Sequence, residues 1–451
     1  MLGCCNQDIN GKVNVNMVFW TSIICIFAII FLIYYKKINV PSVFFFLLWV
    51  FVMVLASLQL FDVYEASMLM STNVGIGCLS FGLGCVFYEL FLKHSPDKRV
   101  EQEITVMDNN IGRDRLLIFI FTMTALIASI VLMAAISAYM AGFDMKSLRY
   151  DSVLADFLII PVDVYSFAYL LLLKPVTILS IPIACMTFNI GKRLSDYRYQ
   201  LFMLYFLLVD ILTTGSRYDI VYLGICIWFT LSIRKREFKH FFRKTWKWGK
   251  RLLWMVPVLL IVVSFVRKSE DLARTFYTYL SGCIPYASIL LDNGEIINNA
   301  SLPLFGIMYP VTFILKQLHL ISNYPDFIYE ATAITDVVQG GAMISPEIGY
   351  NAFVSPIYHL YISGGYIADV LGMALLGILC MAIYRKAMRT NLMWDWVSYL
   401  MIMIAIFKTI QLYPFVDTAW SIGFMLCLFF SLKNKKIVIK KKVSCDSKSA
   451  E

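Results

Sequence analysis

Apolar residues along this chain gather in long runs separated by polar gaps. The runs cover residues 17–35, 41–61, 68–92, 116–141, 165–188, 200–213, 219–233, 252–266, 357–384, 394–413 and 415–432. Wound as a helix, a run of about 20 such residues crosses a ~30 Å hydrocarbon core. The pattern predicts an all-α polytopic membrane protein with about eleven transmembrane helices. Residues 157–188 complicate it, because Pro161, Lys174, Pro175 and Pro182 interrupt an apolar stretch. They read either as one kinked helix behind an interfacial segment or as two broken pieces. The longest interval, 267–356, reads as one large extracytoplasmic loop. A loop that long points to function, and its stretch 303–320 reads as an amphipathic helix on the outer leaflet. Four regions follow: an N-terminal bundle of about eight helices (1–266), the partly helical loop (267–356), the C-terminal helices (357–432) and a basic tail (433–451).

Composition agrees with this class. The chain is 60% hydrophobic and 15% charged, with a mean hydropathy of +0.73, where a soluble domain carries about 25% charged residues. The net charge of +9 matters for its placement. Lysines and arginines concentrate in alternate gaps: Lys36 and Lys37, then 93–115, 192–198, 234–251, 385–389 and the tail from Lys433. The intervening gaps are poor in them. Cytoplasmic loops carry such an excess, so the C-terminus is expected in the cytoplasm and the N-terminus outside. Residues 234–251 carry nine basic side chains interleaved with Phe238, Phe241, Phe242, Trp246 and Trp248. Beside a membrane this combination fits anionic lipid rather than nucleic acid. With only Lys12 before the first run and no small-residue cleavage site, the first run is expected to be a retained helix. Most of the 11 cysteines lie inside apolar runs and act as small hydrophobes. No Cys/His spacing suggests a metal, and no cofactor is expected.

The candidate chemistry lies toward the outer face. The turn Thr214-Gly215-Ser216-Arg217 joins two short apolar arms anchored by Arg198 and Arg234. About 35 residues separate those anchors, fewer than two full crossings need, so the turn is expected in a recess below the headgroups. An arginine there calls for an anion, either a ligand or Asp210 or Asp219 in an ion pair that closes the turn. Arg267 and Lys268 end the eighth run on the same face, and Arg274 follows two helical turns on. His359 opens the ninth run as a candidate general base, with Glu347 and Asp336 as alternatives. Lys408 is expected to snorkel outward from its span. Lys174 has no evident partner. The chain has no Walker-type phosphate loop, no Asp-x-Asp pair in the outer loops and no G-x-S-x-G elbow.

The Thr214–Arg217 turn, the arginine-flanked outer loop and the stretch from Ser355-Pro-Ile-Tyr-His into Gly372 and Gly377 resemble the Wzy-type O-antigen polymerases, to which O-antigen ligases are related. The resemblance implies a GT-C-like polymerase/ligase architecture in the bacterial inner membrane, with 267–356 in the periplasm. It implies a metal-independent glycosyltransferase that joins undecaprenyl-diphosphate-linked repeat units. Arg217, Arg267 and His359 would be catalytic, and Gly215, Ser216, Lys268, Arg274 and Glu347 would bind the diphosphate or glycan. The partners it implies are the lipid-linked glycans, membrane lipids and a chain-length regulator, and no nucleic acid. A ligase acting on lipid A-core and a lipid-linked oligosaccharide flippase are the alternatives.

Overall fold

The computed structural model describes residues 15–92, 115–144, 147–149, 151–188, 197–215, 218–234, 272–292, 299, 301–351 and 353–448. Outside them lie the eighth predicted span (252–266), most of the basic-aromatic run 234–251, and Ser216, Arg217, Arg267 and Lys268.

The described chain is built of helices, with one two-stranded hairpin. In order they are α1 (Val15–Tyr35), α2 (Pro41–Ser57), α3 (Met68–Phe87), α4 (Arg115–Met140), α5 (Asp151–Leu158), α6 (Val162–Ala168), α7 (Lys174–Thr187), α8 (Arg198–Thr214) and α9 (Tyr218–Ile233). Then come α10 (Leu272–Ser281), α11 (Cys283–Asp292), α12 (Phe305–Gln317), α13 (Asp326–Gly340), the antiparallel strands β1 (Ala342–Met343) and β2 (Gly349–Tyr350), α14 (Ser355–Thr390), α15 (Met393–Lys408) and α16 (Thr418–Lys448). Five of the described helices are long and apolar enough to cross a bilayer; Pro41–Ser57, Tyr218–Ile233, Cys283–Asp292 and Thr418–Lys433 are shorter apolar helices.

Burial shows which solvent these helices face. On α4 the exposed positions Phe119, Met123, Leu126, Ile130, Met133 and Met140 form an apolar stripe, while the buried face carries Leu117, Phe121, Thr124, Ala128 and Ala135. The same inversion recurs on α1 (Ile26, Ile29, Ile33) and α8 (Leu201, Leu204, Leu208). Apolar outside surface on this scale, on several helices, belongs against lipid rather than water. The all-α membrane class therefore stands.

Between α3 and α14 the helices meet backbone to backbone. A side chain built at Gly84 would meet the Ala374 carbonyl at 2.1 Å, and one at Gly377 the Phe81 carbonyl at 2.2 Å. Lipid supplies no hydrophobic drive for helices to associate, so close packing of small residues takes its place.

Residues 157–188 resolve as α6, one π turn (Tyr169–Leu173) and α7, a single continuous crossing from Val164 to Thr187. The short helix α5 precedes it. The helix is continuous, which rules out two broken pieces.

The ninth predicted run departs from expectation. Backbone torsions break α14 at Gly364 and Gly365, and the positive φ of 62° at Gly365 is one that glycine adopts without strain. Leu360 packs onto Gly372, and both Ile357 and Asp369 face the Gly77 position. On one straight helix residues twelve apart would lie about 18 Å from each other. Residues 355–363 are therefore a separate short helix folded against the helix of residues 366–390. Periodicity cannot see such a break, because both pieces are apolar.

The two ends of the bundle differ. At one end Arg234 donates to the Met186 and Phe188 carbonyls, Arg385 pairs with Glu89, and Lys386 pairs with Asp395. The other end is covered by α10 to β2. There the Tyr277 hydroxyl donates to the Leu55 carbonyl and accepts from the Leu60 amide, Ser288 accepts from the Ser67 amide, and the Tyr64 amide reaches Ile344. The described residues of 272–351 thus form packed helices and one hairpin. The predicted helix of this interval, α12, packs on the bundle: Phe313 stacks on Phe167 at 4.4 Å, and Gly306 abuts residues 415–417. Its Val311, Ile314 and Leu318 remain exposed.

Candidate functional site

The turn after α8 is held from several directions. Gly215 caps the helix in the left-handed conformation (φ 61°) and donates to the Ile211 carbonyl at 2.9 Å. Tyr139 donates to the Leu212 carbonyl. One turn below, Lys174 Nζ bridges both arms, 2.8 Å from Asp210 Oδ2 on α8 and 2.6 Å from Asp219 Oδ2 on α9. Tyr169 donates to the remaining oxygen of Asp210 at 2.8 Å. Lys174 therefore does have partners. The two carboxylates weighed as partners for Arg217 are both engaged by Lys174; Asp219 Oδ1 has no hydrogen-bond partner among the described residues.

This clamp sets the depth of the turn. Lys174 lies ten residues into the span from Val164 to Thr187, about 15 Å along its axis. At 17 and 16 residues, α8 and α9 are about 25 Å long, short of a ~30 Å core. Asp210 and Asp219 are thus held about 15 Å along the helix from Val164, one helical turn from Gly215.

A second buried pair lies beside the first. Lys408 Nζ is 2.5 Å from Asp417 Oδ2 and 3.3 Å from the Tyr222 hydroxyl, which itself donates to Gln411 Oε1. Asp417 also accepts from the Trp420 amide and so caps α16. Lys408 is 4% exposed. The expectation that it snorkels outward is wrong: a carboxylate within reach neutralises it in place, and its stem need not extend.

Above the turn, α10 and residues 347–351 enclose a cavity of about 280 Å³ lined by Arg274, Thr275, Thr278, Tyr279, Glu347, Tyr350 and Asn351. Arg274 and Glu347 face each other across its mouth at 3.3 Å, with Glu347 largely exposed. Gly282 leaves room for the Tyr350 ring, which also packs edge-on against Tyr286. Burial pushes the Tyr350 phenol up, so it stays a hydroxyl. The cavity wall reaches the turn through aromatic contacts. Tyr218, the first residue of α9, meets Tyr279 at 5.9 Å and Phe353 at 5.0 Å.

The sequence candidates thus divide. Arg274 and Glu347 come together at the cavity, and Gly215 lies at the adjoining turn. Ser216, Arg217, Arg267 and Lys268 fall outside the described residues. Asp336, on α13, is not among the cavity's lining residues. His359 is 7% exposed, with Nδ1 donating to the Ser355 carbonyl at 3.2 Å. A carbonyl only accepts, which assigns the tautomer and leaves Nε2 as the acceptor. His359 does not line the cavity either. Among the described residues no group of three or more His, Cys, Asp or Glu is placed to hold a metal ion. Sequence reasoning missed the Lys174 and Lys408 networks as units. Their signal was available: ionisable residues inside apolar spans pair with one another or mark a pathway.

No family model, no curated protein and no solved structure matches this chain.

Proposed function

We propose that this chain is a membrane glycosyltransferase acting on an anionic, lipid-linked glycan at the end of the bundle covered by α10 to β2. More particularly, it polymerises undecaprenyl-diphosphate-linked repeat units in the manner of the Wzy-type O-antigen polymerases it resembles. The observation that carries this reading is the turn after α8, clamped by Lys174, whose aromatic neighbour Tyr218 joins it to the cavity of Arg274 and Glu347. Arg217 is bonded directly to Tyr218. Apolar outer faces let a polyprenyl chain approach sideways, while the polar cavity receives its sugar.

The chemistry needs two kinds of group. A hydroxyl of the incoming unit attacks the anomeric carbon of the growing chain, and the bond from that carbon to the diphosphate oxygen breaks. The electron pair leaves with the diphosphate, whose added charge Arg217 and Arg267 would stabilise through forked hydrogen bonds. The hydroxyl proton passes to a base. Glu347, which lines the cavity, would take it; Nε2 of His359 is the other candidate and reaches substrate only if residues 355–363 shift. The basic end of the bundle would face the cytoplasm, with eleven crossings and the C-terminus inside, in a bacterial inner membrane. A chain-length regulator and membrane lipids are the further partners of such an enzyme.

The test is extension of a lipid-linked single repeat unit by the purified protein in vesicles. A product ladder with release of undecaprenyl diphosphate is expected. Arg217→Ala should slow extension by about 100-fold or more while the protein still inserts, and Arg217→Lys should rescue poorly because a point charge makes no fork. Full activity of the lysine variant would refute the fork, and normal product length from Arg267→Ala would remove that residue from the site. Movement of a unit across the vesicle without lengthening would identify a flippase. Transfer only onto lipid A-core would identify a ligase.

A further inference from the structure

Asp369 is the one described carboxylate in a spanning helix that has been left out of every network above. It is fully buried on the helix of residues 366–390, and among the described residues neither of its oxygens has a hydrogen-bond partner. It points at the bare backbone of Gly77 on α3, 3.0 Å from where a side chain would begin, and shares that spot with Ile357 of the short helix 355–363. Two more polar side chains on the same packed elements, Asn73 on α3 and Ser355, are fully buried with unpartnered atoms.

An ionised carboxylate in such a place would cost far more than the packing of one residue returns. The groups that could offset its charge lie elsewhere. On α3 the titratable neighbour is the buried thiol of Cys78. On the short helix, His359 is engaged with Ser355. Along its own helix Arg385 is about 24 Å away and paired with Glu89; Lys386 is paired with Asp395. From α15, Lys408 is taken by Asp417. No ion pair to Asp369 occurs among the described residues.

We propose that Asp369 is a proton-binding site that holds residues 355–363 against α3. With the proton on, the neutral carboxyl tolerates the dry contact beside Ile357 and Gly77. When the short helix swings about Gly364 and Gly365, water reaches the carboxyl, the O–H bond breaks, and the proton passes to that water, leaving the carboxylate hydrated. Proton binding and the position of the helix that carries His359 are thereby linked: alkaline conditions favour the open arrangement, and acid conditions the closed one. The inference stands on the break and the burial. It adds a regulatory input to the proposed transferase without depending on that activity.

Two measurements on the full chain in lipid nanodiscs decide it, and neither reads catalysis. Infrared spectroscopy at neutral pH should show a protonated-carboxyl band that disappears in Asp369→Asn. Hydrogen exchange across residues 353–366, corrected for the intrinsic pH dependence, should speed up about tenfold or more in alkaline buffer in the wild type. In Asp369→Asn it should stay at the slow, acidic rate. Absence of the band in the wild type, a band that sodium ions abolish, or alkaline opening that persists in Asp369→Asn would each overturn the proposal. Asp369→Glu provides a second check, since it should retain both the band and the pH response.

Discussion

Two regions of this bundle bury carboxylates in opposite ways. Around α9, Asp210, Asp219 and Asp417 each contact a lysine from another element, and hydroxyls of Tyr169 and Tyr222 complete the networks. Between α3 and the broken α14, Asp369 has no such partner among the described residues, and glycine-lined backbones press close around it. The first arrangement sets lysines against its carboxylates and so bolts together the two arms of the turn. The second keeps its shape only while it carries no charge. A buried ion pair is costly to break from one side, whereas a neutral acid is cheap to replace and sensitive to pH.

The sharpest way to break the comparison is Lys174→Met. It strands two carboxylates inside the bundle and should cost about 3–5 kcal/mol, read as a lower unfolding temperature in detergent. Adding Asp210→Asn and Asp219→Asn to that variant should recover most of the loss, because the damage is uncompensated charge rather than lost packing. Lys408→Met comes next at about 2 kcal/mol, since Asp417 keeps the Trp420 amide. Asp369→Asn should change stability by less than about 1 kcal/mol at neutral pH, an amide replacing a neutral acid of the same shape. If it costs as much as Lys174→Met, the two regions do not differ in the way described. Smallest of all is the stability effect of Arg274→Ala, under about 1 kcal/mol for an exposed pair, although extension of the glycan should fall about tenfold or more with a cavity cation lost.

Much of this was legible along the chain and some was not. Apolar run length gives the long helices α1, α3 and α4 within a few residues, and the turn signal at Gly215 gives the end of α8. The same reading misplaced Lys408, because hydropathy registers a lysine near a helix end and cannot register Asp417 across a 3₁₀ turn. It passed over Asp369 entirely: a single acid in an apolar run looks like noise until its surroundings are seen to lack a cation. It joined 355–363 to the following helix because two consecutive glycines are compatible with either a bend or a straight span.

The sequence by itself determined the apolar solvent of this protein, the approximate positions of its long apolar helices, and the gaps in which its cations gather, because those depend on summed hydrophobicity and charge along short windows. Tertiary structure alone decided which charges neutralise one another, that Arg274 meets Glu347 at a cavity, and that α14 is broken with an unpaired acid beside the break. Those outcomes depend on contacts between residues tens to hundreds of positions apart, where a few ångströms separate a bound ion from a stranded one.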